Sequence, residues 1–137
     1  MKKRYIWLAF FSVFILYNCK QNKKIRILSS EKKVNYIDDS NSLILDTCEV
    51  WDLSSDEIIL ILSKSERISV QKKNYCYYAL PCEIKGSLYR NDTIFNFIIN
   101  AGSTIILIYD DSAYYYGCPD SSCLKYFLLA SDDNCFE

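Results

Sequence analysis

CEIKGSLYRNDTIFNFIINAGSTIILIY, residues 82–109, carries the clearest secondary-structure signal in this chain. Its first part alternates apolar and polar residues, as a strand with one buried face does. Two further apolar runs follow, separated by turn-forming residues at 90–93 and 101–103. A third turn at 110–112 leads into residues 113–118, which continue the same pattern. The stretch therefore predicts a meander of antiparallel strands joined by short turns, and residues 125–130 fit either a last strand or a helical turn.

Upstream of the meander, the pattern changes to that of a helix. Ser54 and Glu57 have the spacing of a capping box, and apolar residues follow at Ile58, Ile61 and Leu62. This helix should end between residues 64 and 66, and residues 43–51 fit either a strand or the lead-in to it. We therefore expect an α+β domain in which one short helix packs on an antiparallel β-meander of four or five strands, stabilised by disulfides.

The N-terminus has the pattern of an export signal. Lys2, Lys3 and Arg4 precede thirteen weakly polar to apolar residues, 5–17, and the chain turns polar after Cys19. Thirteen residues are too few to span a bilayer, which requires about 20. The segment is therefore predicted to direct secretion rather than to cross the membrane.

The residues Leu16, Tyr17, Asn18 and Cys19 resemble the processing site of bacterial lipoprotein precursors. The resemblance implies that the Cys19 thiol receives a diacylglyceryl group and that the chain is cleaved just before it. Two or three acyl chains, such as palmitate, then anchor the protein stably to a membrane. By the sorting rule of that family, Lys20 implies transfer to the outer membrane of the cell envelope, facing the periplasm.

This reading divides the chain into three parts. Residues 1–18 are the signal peptide, residues 19–42 the lipidated N-terminus with a flexible tether, and residues 43–137 a single globular α+β domain. Residues 20–33 hold six basic side chains and one acid, which suits either a solvated tether or contact with an anionic membrane surface.

Cysteine content supports export independently. Of seven cysteines, the six other than Cys19 make an even set, as expected of disulfides in an oxidising compartment. Sequence alone leaves 15 pairings open. Plausible bonds join Cys118 to Cys123 and Cys76 to Cys82, with Cys48 and Cys135 tying the two ends of the domain. Zinc fits this spacing poorly, so no metal and no cofactor are expected.

Several functional classes are disfavoured by composition. The chain has no histidine, the residue most often used as general base and metal ligand. Ser63-Lys64-Ser65 is better explained as a charged helix end than as a catalytic pair. The part after residue 18 holds 13 of the 16 basic residues and all 17 acidic ones, which argues against nucleic-acid binding. We therefore expect no enzyme and no nucleic-acid partner.

A protein-binding patch is predicted instead from clustered tyrosines and acids. Because strand residues alternate between faces, at least one of Tyr114, Tyr115 and Tyr116 should point away from the core. With Asp110, Asp111 and Asp120 they would form an acidic, tyrosine-rich surface suited to a basic partner. The alternative is that tyrosine is there because it fits sheets well.

The mature domain loosely resembles small cysteine-containing lipoproteins of the cell envelope, a group without an assigned activity. The shared features are Tyr75-Cys76, Pro81-Cys82, Asn100-Ala101-Gly102, Gly117-Cys118 and Cys123-x-Lys125-Tyr126-Phe127. Proteins of this build include inhibitors of cell-wall hydrolases and immunity proteins against toxins. The expected function is a lipid-anchored binding protein, an inhibitor or immunity protein acting on a periplasmic partner. The alternative is a structural or assembly accessory of the envelope.

Overall fold

The structure, a computed structural model, describes residues 24–36, 42–119, 121–132 and 135. The signal peptide, Cys19 and Asp120 lie outside these residues. The elements in chain order are β1 (Arg26–Val34), α1 (Ser42–Val50), α2 (Ser55–Lys64), β2 (Glu66–Arg67), α3 (Val70–Cys76), β3 (Cys82–Arg90), β4 (Thr93–Asn100), β5 (Thr104–Tyr109), β6 (Ser112–Gly117) and α4 (Ser121–Leu124).

The strands form one sheet in the order β1-β3-β4-β5-β6-β2, and every neighbouring pair is antiparallel. The predicted α+β class is confirmed, with six strands rather than four or five in the described part of the chain. The predicted meander is β3 to β6. The two additional strands, β1 and β2, pair with its outer members.

The predicted turns are confirmed. Asn91 and Asp92 connect β3 to β4 with φ of 51° and 59°, as a two-residue hairpin turn matched to the sheet twist requires. Ser103 and Asp110, in the next two turns, also have positive φ, at 71° and 53°. Asn and Asp tolerate this left-handed conformation better than most residues, which explains the β3–β4 and β5–β6 turns but not the conformation of Ser103.

The capped helix is confirmed as α2. The Glu57 backbone N–H donates to Ser54 Oγ at 3.3 Å, and the Ser54 N–H donates to Glu57 Oε2 at 2.8 Å. Ile58, Ile61 and Leu62 are buried. They join one core with the buried residues on the side of the sheet that faces α1 and α2, chiefly Ile84, Leu88, Phe97, Ile99, Ile105 and Leu107. We call this side of the sheet the helical face.

The flexible tether expected over residues 19–42 is wrong for Arg26–Val34, which form the edge strand β1 along the whole length of β3. The folded part of the chain therefore begins well before residue 43. Two features hide this strand in the sequence. A bulge between Ile27 and Ser29 interrupts the period of two, and an edge strand carries charges such as Lys32 and Lys33 that read as solvated chain.

Residues 43–51, expected to be a strand or the lead-in to a helix, lie almost entirely in a separate helix, α1. Their apolar run is typical of a strand, yet Leu43 remains 69% exposed. The fully buried Cys48 side chain instead bonds α1 to Cys82 at the start of β3. Helix α3 is a further element that the sequence analysis missed, and residues 125–130 form turns after α4 rather than a last strand.

The six predicted cysteines form three disulfides: Cys48–Cys82, Cys76–Cys135 and Cys118–Cys123. The local Cys118–Cys123 bond is confirmed, and the two other plausible pairings are wrong. The reason is that Cys82 points from the sheet towards α1, with 5.5 Å between the Cα atoms of Cys48 and Cys82. Cys76 at the end of α3 is left to bond Cys135 near the C-terminus.

The contact between β1 and β3 is tight enough to test by mutation. A Cβ atom on Gly86 would collide with the Ser29 backbone oxygen in β1 and with the Phe97 ring. We expect Gly86→Ala to lower the free energy of unfolding by about 1–3 kcal/mol, as overpacking does. Urea denaturation measures this. If residues 26–34 were a detached tether, the loss should be smaller, because only the contact with the Phe97 ring would then remain.

Candidate functional site

A groove opens on the helical face at the end of the sheet where the β3–β4 hairpin turns. Its volume is about 320 Å³. Aromatic and arginine side chains line much of it. The nine lining residues are Arg67, Arg90, Asn91, Thr93, Phe95, Leu107, Tyr109, Tyr114 and Tyr116. We call it the tyrosine–arginine groove.

Sheet register explains which tyrosines enter the groove. Tyr114 lies opposite Leu107 and Tyr116 opposite Ile105, both on the helical face. Tyr115, opposite Ile106, points to the other side of the sheet. The expectation that at least one tyrosine of this cluster faces away from the core is thus confirmed, while the three tyrosines do not form one surface.

Arg67 joins the two groove tyrosines. It lies on β2, directly opposite Tyr116 on β6. Its guanidinium carbon is 4.6 Å from the centroid of the Tyr114 ring and 5.8 Å from that of Tyr116, distances at which cation–π attraction is significant. The rings therefore hold the guanidinium against the wall of the groove while its N–H groups stay available to a ligand.

The groove carries positive charge. Arg67 and Arg90 form no ion pair with any residue that the structure describes. Asp110 and Asp111 lie in the exposed β5–β6 turn, directly after the lining residue Tyr109. The region thus has arginines in the groove and carboxylates in the adjacent turn, whereas the sequence predicted an acidic, tyrosine-rich patch.

The groove residues outside the tyrosine cluster were missed by the sequence analysis. Phe95 and Tyr109 fall on the groove side of their strands, and the alternation of β4 and β5 would have placed them there. Arg67 had no comparable signal, because β2 is two residues long and its position depends on long-range pairing with β6.

A second, smaller cavity of about 220 Å³ lies beside the Cys76–Cys135 bond. The Tyr77 side chain enters it and occupies the space above Gly117. Burial raises the pKa of the Tyr77 hydroxyl, so this group stays protonated and acts as a hydrogen-bond donor or acceptor. The Tyr77 ring therefore fills space beside the disulfide, with its hydroxyl protonated.

The Ser63-Lys64-Ser65 segment lies at the C-terminal end of α2. Ser63 Oγ donates to the Leu60 carbonyl at 2.7 Å, and Ser65 Oγ donates to the Ile61 carbonyl at 2.8 Å. Both hydroxyls thus satisfy carbonyls at the end of α2. Over residues 24–36, 42–119, 121–132 and 135, no group of three or more Cys, Asp or Glu side chains is placed to hold a metal ion.

No protein-family model, curated protein or solved structure matches this chain. None of the helices in the described ranges has the length and apolarity needed to cross a membrane.

Proposed function

We propose that this chain is a lipid-anchored binding protein of the bacterial envelope that inhibits or neutralises a protein partner in the periplasm. The lipid anchor is Cys19, and Lys20 directs the protein to the outer membrane. The three disulfides support an oxidising compartment, since such bonds are rare in reducing ones. The groove supports binding rather than catalysis, because its polar residues are arginines, tyrosines, Asn91 and Thr93, with no carboxylate or other base among them.

The observation that carries this proposal is the presentation of Arg67 between Tyr114 and Tyr116 at the surface. Arginine and tyrosine are the residue types that most often dominate the energy of protein–protein contacts. A guanidinium already positioned by two rings loses little further entropy when it binds a carboxylate. Such a site is ready to bind before the partner arrives.

The charges in the groove also determine which charges the partner surface should carry. Arg67 and Arg90 would attract carboxylates inserted into the groove, and guanidinium–carboxylate pairs can be bidentate. Asp110 and Asp111, in the turn next to the groove, would face basic groups around that acidic insertion. The proposed partner surface is therefore an acidic centre with a basic border, whereas the sequence predicted a basic partner.

Photocrosslinking in cells tests whether the partner binds in the groove, using two neighbouring positions on β6. A benzophenone amino acid at position 114 should capture the partner, while the same group at position 115 should not, because Tyr115 lies on the opposite side of the sheet. In binding assays with the captured protein, we expect Arg67→Ala with Tyr114→Ala to weaken affinity tenfold or more, as loss of hot-spot residues does. Tyr115→Ala should change affinity by less than about twofold.

Two results would contradict the proposal. Equal capture from positions 114 and 115 would show that the groove has no special role. Unchanged affinity in the Arg67→Glu variant, where charge reversal should repel an acidic insertion, would exclude the groove as the contact. A captured partner that is a component of an envelope assembly, rather than a hydrolase or toxin, would favour the accessory function instead.

A further inference from the structure

The side of the sheet opposite the helical face carries a stripe of apolar residues. Ile98 lies opposite Ile106, and Ile106 lies opposite Tyr115, so the three side chains form one row across β4, β5 and β6. Ile108 belongs to the next row, and Ile94, near the hairpin, is 59% exposed. We call this surface the isoleucine face.

In the described structure, Ile94 is exposed and the other members of the isoleucine face, Ile98, Ile106, Ile108 and Tyr115, are partly exposed. Helices α1 and α2 pack on the helical face, where Cys48 is bonded to Cys82. Helix α3 reaches only the β6 corner, where Lys73 Nζ is 5.8 Å from the centroid of the Tyr115 ring. Apolar side chains left partly open to water on one side of a sheet are a candidate contact surface for another phase or molecule.

The position of β1 indicates what that contact is. Six residues separate Cys19 from Arg26, the first residue of β1. Even fully extended, this segment spans at most about 25 Å. A lipid on Cys19 would therefore hold the folded domain against the membrane, not at the end of a 24-residue tether.

The chain also enters the domain at a corner of the isoleucine face. The Arg26 guanidinium lies 5.4 Å from the centroid of the Tyr89 ring, and Tyr89 is directly opposite Ile94. The Tyr89 hydroxyl donates to Asp92 at 2.6 Å. Arginine, tyrosine and an exposed isoleucine together form the composition that favours the interface between headgroups and acyl chains.

The charges on the face itself balance. Its basic side chains are Arg26, Lys33, Lys73 and Lys85, and its acids are Glu31, Glu66 and Glu83, together with Asp92 beside Tyr89. Glu83 is neutralised by Lys85, with 2.9 Å between Nζ and Oε1. Lys20, Lys23 and Lys24 add positive charge between the lipid and β1, where attraction to anionic lipids is strongest.

From these observations we infer that the isoleucine face rests on the membrane that holds the lipid of Cys19. This inference depends on the lipid anchor of the proposed function. It fixes the orientation of the domain: the tyrosine–arginine groove, on the opposite side of the sheet, points away from the membrane into the aqueous space. A partner would then approach the groove without obstruction by the bilayer.

Tryptophan quenching by brominated phospholipids tests the orientation. The full-length chain is expressed in bacteria that process lipoproteins, and the mature protein is reconstituted into phosphatidylethanolamine–phosphatidylglycerol vesicles. Tyr115→Trp and Ile94→Trp report on the isoleucine face. Tyr114→Trp is the matched control, because it makes the same substitution one residue away on the opposite side. After subtraction of the native signal from Trp51, both face variants should be quenched at least threefold more than the control.

Each remaining outcome contradicts a defined part of the inference. If the protein takes up a labelled fatty acid through Cys19 but the Tyr115→Trp and Ile94→Trp variants are quenched no more than the control, the orientation is wrong and the anchor stands. If the face is unquenched and cross-links to a second copy of the chain, it is a dimer interface. If Cys19→Ser incorporates as much labelled fatty acid as the parent protein, both the lipid anchor on Cys19 and the proposed orientation are wrong.

Discussion

Removing the Cys48–Cys82 disulfide by a double alanine substitution is expected to lower the free energy of unfolding by about 4 kcal/mol. The bond closes a loop of 34 residues, and in the chain-entropy model a loop of that length accounts for about this much stabilisation. It is also the covalent link between α1 and the sheet, where both cysteines are fully buried. Urea unfolding of the oxidised protein provides the measurement.

The Cys118–Cys123 bond supplies the matched control. Its loop is five residues, so the corresponding double alanine variant should lose only about 2 kcal/mol. A loss from Cys48→Ala with Cys82→Ala no greater than that of the control would contradict the expected long-range role. Because small domains are stable by only about 5–15 kcal/mol, the larger loss should also expose the protein to proteolysis.

The elements that the sequence predicted correctly are those whose signals are local. Helix α2 has its own capping box at Ser54 and Glu57, and the β3–β4 hairpin has Asn91 and Asp92 at the two positions with positive φ. Such features act within a few residues and do not depend on the rest of the fold. The α+β class followed from them, because a capped helix and a meander must share one core.

The elements that were missed or misassigned depend on contacts that are distant in the sequence. Strand β1 is recognisable only through its pairing with β3, about 55 residues later, because its bulge and charges remove the alternating pattern. Helix α1 contains a strand-like apolar run, and tertiary packing overrides that propensity. The cysteine pairing shows that short spacing is a weak guide: the local pair Cys118–Cys123 forms, whereas the local pair Cys76–Cys82 does not, because each of these cysteines bonds a residue distant in the sequence.

The residues of the candidate site also differ in whether local sequence predicts them. Alternation along β6 correctly predicted that at least one of Tyr114, Tyr115 and Tyr116 faces away from the core, and the register identifies it as Tyr115. The placement of Arg67 beside Tyr114 and Tyr116 could not be predicted from the sequence, because it depends on the pairing of β2 with β6. The sequence therefore indicated the tyrosines of the groove but not its arginines, whose charge determines which partner surface could bind there.

Phe97→Ala is the second substitution with a large expected effect, a loss of about 3–5 kcal/mol in the free energy of unfolding. Phe97 is 1% exposed and lies opposite Leu107 on one side and Gly86 on the other. Glycine has no side chain to fill the space that the ring vacates, so the cavity should persist and the loss should fall in the upper part of this range. Chemical denaturation of the purified protein measures it.

Phe95→Ala tests whether the groove and the core are separable. Phe95 is two residues away on the same strand and the same face, but it is only partly buried, at the wall of the groove. We expect its removal to cost less than half as much stability as Phe97→Ala, because a side chain open to water leaves no closed cavity. Equal losses of stability would mean that Phe95 belongs to the closed core. The side chain would then not form the wall of an open groove.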